Sequence, residues 1–419
     1  MPNPDTGVAA VRRAFEKAVR VHGYVDYREA YSWASDVDEA ITSIERLLRD
    51  GQAAAVIGLC ESALKSLAGA IESVDDSDGH FVGLRDRLED IHYRACLEAR
   101  SDPAGLAKRL FQLELRSDFD VLSGAAERYA GILGTEGMQA YRALAESEWA
   151  KVPARTAKHA ESEWGARFRI TQIMESLARA SGDIEELVAV MGRDLSSAYN
   201  YWQIAQVYRE AGEHDKALFW AERGLGEFPK HTDARLREFA AEEYHRRSRH
   251  DDALKLIWAQ FAERPFLATY ETLEKHAKRA GAWPEWRERA LAEIREQADD
   301  STLVEIFLHE GNNEDAWREA VAGGCADRLW LRLAAMREEE HPEDAVPIYL
   351  KYGEAGVAAT TDGRYEDPVR LLIKAAAVMK RLERSAEFER HLEGLRARYK
   401  IKRNFIKLVE QKRKSLYLA

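Results

Sequence analysis

The residue types that carry enzyme chemistry are present in this chain, but their spacing matches no catalytic motif. His309-Glu310-Gly311 begins like the zinc-binding pattern His-Glu-x-x-His, and Asn313 stands where the second histidine is needed. The sequence contains no GxxxxGK[ST] or GxGxxG phosphate loop and no GxSxG elbow for a nucleophilic serine. We therefore expect no catalytic residue, no metal site and no cofactor, and we interpret the protein as non-enzymatic.

A run of acids, Asp75-Asp76-Ser77-Asp78-Gly79, has the composition of part of a calcium-binding loop. If Gly79 is the central glycine of an EF-hand loop, Val74 takes the first ligand position and Arg85 the last. Those two positions require an acid and a glutamate, so the match fails. The run instead predicts a turn in which the acids cap a helix.

The bulk composition predicts a helical protein of the cytoplasm. The chain has 419 residues, only 26 Gly and 10 Pro, and a formal net charge of −11, so we expect neither an all-β fold nor a general nucleic-acid binder. Its three cysteines, Cys60, Cys96 and Cys325, form no disulfide framework. The first residues resemble no signal peptide, and we expect no apolar run near the roughly 20 residues of a membrane helix, hence no membrane partner.

The residues around position 200 repeat a helix–turn–helix pattern at a fixed offset. Three markers recur 36 residues apart: Tyr208 and Tyr244, Ala217 and Ala253, Pro229 and Pro265. In the first copy, Tyr201, Ile204, Ala205 and Tyr208 form one buried helix face. A period of this size predicts stacked repeats.

Weaker copies follow the two clear ones, and helices precede them. Gly281, Trp286 and Ala290 begin the weaker series, which continues in the positions Gly311, Ala316, Ala320 and Ala345. We predict an all-α protein, an α-solenoid of helix–turn–helix repeats with a helical N-terminal region. The predicted domains are an N-terminal helical domain at 1–152, the repeat solenoid at 153–365, and two capping helices with a basic tail at 366–419.

The 36-residue units resemble tetratricopeptide repeats, in which aromatic residues mark the first helix, alanine the second, and proline the end. Tyr201, Tyr208, Ala217 and Pro229 match this pattern in the first copy. Tyr244, Ala253 and Pro265 match it in the second, where Arg237 departs from it. The resemblance implies an α-solenoid that binds protein partners.

A second resemblance covers most of the chain and involves bacterial SWIM zinc-finger proteins. Segments 23–30, 74–79, 237–244 and 403–405 are similar to the uncharacterised helical region that follows the finger in those proteins. The finger requires Cys-x-Cys followed by Cys-x-His, and neither occurs here. The resemblance therefore implies only the helical part, with no zinc or DNA role carried over.

Trp202 lies off the face formed by Tyr201 and Tyr208, on a second stripe of the same helix. The resemblance to tetratricopeptide arrays implies that this stripe lines a concave groove for a peptide, whereas the alternative is a solvated helix face. The residues predicted to bind a partner are Tyr199, Trp202, Gln206, Arg209, Arg235, Glu238, Glu242 and His245.

The C-terminal tail concentrates positive charge. Its nine bases stand against one acid, Glu410, so the tail carries about +8 and the remaining chain, −11 minus 8, carries about −19. This segment could contact nucleic acid, or the acidic body of its own chain or of a neighbouring copy. The bases are Arg396, Arg398, Lys400, Lys402, Arg403, Lys407, Lys412, Arg413 and Lys414.

Two functions follow from these features. The first is a non-enzymatic scaffold or adaptor that binds a partner protein segment in the solenoid groove, by aromatic anchoring and charge selection. The alternative is a nucleic-acid-associated accessory protein that acts through the basic tail. The identity of the partner and the oligomeric state stay open, and a homo-oligomer is compatible with both functions.

Overall fold

The structure, a computed structural model, describes residues 4–117, 119–158, 165–230, 232–297, 300–361 and 363–417. Over these residues the chain consists of 23 helices and two strands of two residues, which confirms the all-α class. Contacts divide the chain into two compact units, 1–239 and 240–419. The predicted three-domain bounds, drawn from sequence character, stay predictions.

Unit 1 begins with a helical N-terminal region and continues into the first repeats. Its helices are α1 Pro4–Val19, α2 Tyr27–Arg49, α3 Ala53–Ile71, α4 His80–Ala99, α5 Pro103–Arg116, α6 Ala125–Arg128, α7 Ala130–Trp149, α8 Gly165–Ser181, α9 Ile184–Met191, α10 Ala198–Glu210 and α11 His214–Glu227. The parallel strands β1 Arg155–Thr156 and β2 Asp194–Leu195 pair with each other. Helix α12, Ala234–Arg246, begins in unit 1 and ends in unit 2.

Unit 2 contains the later repeats and the terminal helices. They are α13 His250–Glu263, α14 Leu267–Arg279, α15 Trp283–Gln297, α16 Asp300–His309, α17 Asn313–Gly323, α18 Asp327–Arg337, α19 Pro342–Ala359, α20 Glu366–Arg381, α21 Ser385–Arg398, α22 Arg403–Gln411 and α23 Arg413–Tyr417. Helices adjacent in sequence pack together, as expected of an α-solenoid of helix pairs.

Short polar side chains start several helices where the sequence predicts them. Asp102 accepts a hydrogen bond from Gly105 N at 2.7 Å with Pro103 in the first helical position, as expected for this dipeptide. In the acidic run, Asp76 accepts from Phe81 N at 3.2 Å and so caps α4. The predicted turn-and-cap role of this run is confirmed.

Helix α3 corrects the expectation that no apolar run reaches membrane length. It has 19 residues and is, by length and composition, apolar enough to span a membrane. Its buried residues, among them Ile57, Leu64 and Leu67, belong to the apolar core of unit 1, and 56% of the apolar window is buried there. This packing explains the composition of α3, because a helix that is apolar on most sides is buried in a core.

The turn between the two helices of a repeat uses one backbone conformation. Gly212, Gly281 and Gly311 adopt φ values of 78°, 71° and 74°. Ser248, 36 residues after Gly212, adopts φ 59° at the equivalent turn. The 36-residue offset is thus kept by the backbone even where glycine, the residue that suits a left-handed turn, is absent.

Small residues occupy the points where paired helices cross. Ala217, Ala253 and Ala316 are fully buried, as is Ala290, the predicted counterpart of Ala221, whereas Trp286, which takes the place of Ala217 in its copy, is half-buried. A very close approach occurs at Gly224 in α11, where an added Cβ would lie 2.6 Å from Tyr201 Cβ. A close crossing therefore requires glycine at this position.

The C-terminal region has more helices than predicted. The pattern from Glu387 to Glu410 predicts one long helix, and the structure has α21 and α22 separated by a turn at Tyr399. Lys402 fixes this turn, because its Nζ donates to the backbone carbonyls of Ala358 and Thr360 at 2.9 Å. Long-range contacts of this kind leave no periodic signal in the sequence.

We expect two glycine-to-alanine substitutions in α11 to have opposite effects. Gly224→Ala should lower the free energy of unfolding by about 1–3 kcal/mol, because the new methyl group overlaps Tyr201. Gly226→Ala, whose Cβ would meet nothing within 4 Å, should raise it by about 0.5 kcal/mol through helix propensity. Urea denaturation of both variants measures the difference, and equal effects would contradict the crossing geometry.

Candidate partner-binding site

A stacked aromatic pair lies at the start of α10. The rings of Tyr199 and Trp202 are 5.3 Å apart with an interplanar angle of 29°. Ser197 caps the helix, and Asn200 Nδ2 donates to the carbonyl of Asp194 at 2.9 Å, so the first turn is held in place. Tyr199 is exposed and Trp202 is half-buried, unlike the inward-facing aromatics of this helix.

The guanidinium group of Arg235, on α12, covers both rings. Its Cζ lies 4.5 Å from the Tyr199 ring centre and 5.1 Å from that of Trp202. Asp233 holds the group from below, accepting from Nε at 2.9 Å and from Nη2 at 2.7 Å. These bonds keep the pKa of Asp233 below its usual value, so the cation stays fixed over the aromatic pair.

Farther along α10, Gln206 and Arg209 extend the same stripe. Gln206 Oε1 is buried and has no hydrogen-bond partner among the described residues. The Arg209 guanidinium lies 4.4 Å from the ring centre of Phe239. A buried acceptor without a donor costs free energy, and a donor from a bound segment would remove this cost.

The opposite face of α10 is buried, as predicted. Tyr201, Ile204, Ala205 and Tyr208 are at most 3% exposed. The Tyr208 hydroxyl donates to Glu185 of α9 at 2.9 Å. The prediction that Trp202 belongs to a different face from Tyr201 is therefore confirmed.

The eight predicted partner-binding residues do not form one set. Tyr199, Trp202 and Arg235 are in contact in unit 1, where Gln206 and Arg209 continue the stripe and Glu238 is half-buried. Glu242, in unit 2, accepts from Lys275 at 3.1 Å and also from Arg279. His245 is only 4% exposed and faces the interior, which corrects its assignment to an open groove surface. Whether the remaining residues bind a partner stays a prediction.

A family model matches residues 2–408, nearly the whole chain. The chain belongs to the family of unknown function DUF6880. No curated protein matches it.

Solved structures similar to this DUF6880 chain are helical repeat proteins. Yeast Tom70 is 10% identical with a TM-score of 0.26, covering 99% of this chain and 98% of that chain. The human IFIT1 dimer with PPP-AAAA is 12% identical with a TM-score of 0.26, covering 99% and 95%. A circular tandem repeat protein is 17% identical with a TM-score of 0.21, covering 99% and 95%. Scores of this size do not transfer partners to the DUF6880 chain.

Three of the nine bases of the tail make contacts within the chain. In the DUF6880 chain Arg396 and Arg398 pair with Glu410 and Glu354, and Lys402 donates to two carbonyls of α19 and its end. Those three bases stabilise the terminal helices. Besides Arg398, the exposed bases of the tail are Lys400, Arg403, Lys407, Lys412, Arg413 and Lys414.

Sequence analysis missed a set of buried carboxylates in unit 1. Glu89 accepts from Leu122 N, and Glu114 from Gly124 N, both at 2.7 Å. Burial raises the pKa of Glu114 to about 7, and its carboxylate also accepts from the Tyr141 hydroxyl. The segment held by these bonds includes Leu122 at φ 57°, so the carboxylates offset a strained backbone. The spacing of Glu89 and Glu114 in the sequence does not indicate that their carboxylates are buried.

Three histidines of unit 2, dispersed in sequence, are in contact. His245 Nδ1 lies 2.7 Å from His250 Nδ1, and His245 Nε2 lies 3.0 Å from His276 Nδ1. Burial lowers the pKa of His276 to about 4 and that of His245 below its usual value. Within the described ranges no group of three or more potential ligands is arranged to hold a metal ion. The signal in the sequence is weak, because only His245 and His250 are close neighbours.

We expect the stability of unit 2 to decrease as the pH falls from 7 to 5. His276 stays neutral when folded, with a pKa of about 4, and takes up a proton when unfolded below pH 6.5. The contribution of neutral His276 to the free energy of unfolding is therefore fully present above pH 6.5 and is lost as the pH falls toward 4. At pH 5 the loss amounts to about 2 kcal/mol. The negative charge of Glu242 raises the pKa of His276 and so opposes the effect of burial, whereas the positive charges of Lys275 and Arg279 lower this pKa further.

Chemical denaturation at pH 7 and pH 5 tests this effect, with His276→Asn as the comparison. The variant is expected to be less stable at pH 7 and to show a smaller pH dependence, since it cannot bind the proton. An equal pH dependence in both proteins would contradict the burial effect.

Proposed function

We propose that the protein is a non-enzymatic scaffold that binds a segment of a partner protein along α10, at Tyr199, Trp202, Gln206, Arg209 and Arg235. One observation carries the proposal: the stacked pair of Tyr199 and Trp202 is held under a fixed guanidinium group and is still accessible. Aromatic and arginine side chains supply most of the binding energy in protein interfaces.

The geometry also supports a particular kind of segment. Because Tyr199, Trp202 and Arg235 already contact one another, little side-chain entropy is lost when a partner binds. The buried oxygen of Gln206 requires an N–H donor, which the backbone of an extended segment provides. We infer an extended segment that stacks an apolar or aromatic side chain on Trp202.

We also propose that the scaffold acts in the cytoplasm and that it is related to the helical region of SWIM zinc-finger proteins. The cysteines support the location, since Cys60, Cys96 and Cys325 are free thiols. The resemblance stays a hypothesis, and it makes a separately encoded zinc-finger protein one partner to look for among captured proteins.

The first test compares two aromatic truncations in the tagged full-length chain. After purification from the native host with nuclease treatment, we expect a stoichiometric protein partner that Trp202→Ala loses. Phe219→Ala is the matched control, because Phe219 is an exposed aromatic of the same unit on α11, 59% exposed. Equal retention of the partner by both variants would place the binding site elsewhere.

A second variant separates binding from stability. Gln206→Leu removes the buried oxygen without a donor, so the free protein should keep its stability. The bound segment loses one hydrogen bond, and we expect its affinity to fall about 5-fold, corresponding to about 1 kcal/mol. Isothermal titration with the identified segment measures this change, and an unchanged affinity would remove Gln206 from the site.

The alternative function, a nucleic-acid accessory role, is favoured by the exposed bases of the tail. Lys407 and Lys414 lie seven residues apart across α22 and α23, with Lys412 between them, and all three are exposed. Each base that neutralises a phosphate adds about −0.9 to the slope of log affinity against log salt for duplex DNA.

Neutralising bases tests the alternative directly. If the tail binds duplex DNA, Lys407→Gln, Lys412→Gln and Lys414→Gln together should reduce the salt slope by about 2 to 3, in fluorescence anisotropy at several salt concentrations. The control variant neutralises Arg49, Lys65 and Lys108, exposed bases of unit 1, and should leave the slope unchanged. The same reduction in both variants would mean unspecific charge attraction.

A further inference from the structure

A long groove lies along the outer side of α1 and α2 in unit 1. It has a volume of about 830 Å³. Along α2 its lining extends from Arg28 to Ser43, which corresponds to roughly 22 Å at a rise of 1.5 Å per residue. The uncharged part of its lining, here called its floor, consists of Ala14, Ala18, Val25, Ser32, Trp33, Ala40 and Ser43. Small residues allow another helix to approach closely.

The charges along this groove are separated by sign. Lys17, Arg20 and Arg28 lie at the end where α1 connects to α2, with Glu29 among them, so this end has a net charge of +2. Asp36 and Glu39 lie farther along α2 and give the other end a charge of −2. Arg28 is separated from these two acids by roughly 12 to 16 Å along the helix.

These six side chains are exposed, and none of them has an ion-pair partner among the residues that the structure describes. Other charges of α2 are paired: Asp38 and Glu45 both contact Arg87 of α4. The groove therefore carries equal numbers of positive and negative net charges that form no ion pair within the described part of unit 1.

We propose that this groove binds the same groove of a second copy of the chain, in an antiparallel, two-fold arrangement. Turned end for end, the groove presents −2 opposite +2 and +2 opposite −2, so it is complementary to itself. A two-fold interface uses one patch on both subunits and requires this property. A partner of a single sign would match one end and be repelled at the other.

Packing supports the same arrangement. Two helical hairpins that face each other form a four-helix layer, and α1 of each copy fills the groove of the other. The alanine and serine floor admits the neighbouring helix, and Trp33, only 8% exposed, closes the floor from below. The rim charges then set the register and the partner rather than the bulk of the affinity. This inference is independent of the proposed function at α10.

Charge reversal at the two ends tests the proposal with the full-length chain in solution. The first variant carries Lys17→Glu and Arg20→Glu, and the second carries Asp36→Lys and Glu39→Lys. By sedimentation velocity at low salt, we expect the unaltered protein to dimerise and each variant alone to be monomeric. A mixture of the two variants should form a heterodimer, because both contacts then join opposite charges again.

The mixture also shows that the variants are folded, since only folded grooves can restore the dimer. A control with Lys65→Glu and Lys108→Glu makes the same charge change on exposed positions of unit 1 outside the groove, and should still dimerise. A monomeric unaltered protein, or a dimer that survives both reversals, would overturn the proposal. Failure of the mixture to associate would also overturn the proposal, because opposite charges then face each other at both ends.

Discussion

The close crossing of α10 and α11 is the constraint on which the candidate site depends. Tyr201 lies so near Gly224 that no side chain fits between them, and Leu236 of α12 closes the same point. Tyr201 therefore has to face inward. Because successive helical residues are turned by about 100°, Tyr199 and Trp202 then cannot share its buried face. The accessible position of the candidate site is thus a consequence of how the repeat packs.

A polar contact recurs between helix pairs and adds specificity to the apolar packing. Tyr208 donates to Glu185, and Lys216 contacts the same carboxylate at 3.0 Å. In unit 2, Tyr270 donates to Glu310 at 2.6 Å, and Arg287 contacts that carboxylate too. A buried tyrosine hydroxyl requires an acceptor, so each carboxylate fixes which helices can be neighbours. Glu310, the glutamate of the incomplete His-Glu-x-x-His pattern, thus has a structural role.

Features that depend on neighbouring residues in the chain could be predicted from the sequence, whereas contacts between residues far apart in the chain could not. The buried face of α10 and the capping at Asp102 depend on residues within a few turns of each other, and the 36-residue offset is visible because its markers recur in the sequence itself. The inward position of His245 depends instead on His276 of another helix. The turn at Tyr399 depends on the carbonyls of Ala358 and Thr360, which accept from Lys402. Tyr199 and Trp202 could be predicted as a surface, but Arg235 over their rings required the structure. The periodicity of apolar residues indicates which face of a helix is buried, but it does not indicate which residues pack against that face.

The distribution of paired and unused charges connects the two candidate surfaces. Many charged side chains are engaged inside the chain, as Arg396 is with Glu410 and Arg398 with Glu354. Such pairs contribute little stability at the surface, but they remove charge from the reach of a partner. Beyond about 10 Å, 0.1 M salt screens what remains. Recognition by charge therefore works only where unpaired groups lie close together, and in unit 1 the groove of α1 and α2 meets that condition, whereas the site on α10 relies on its aromatic pair.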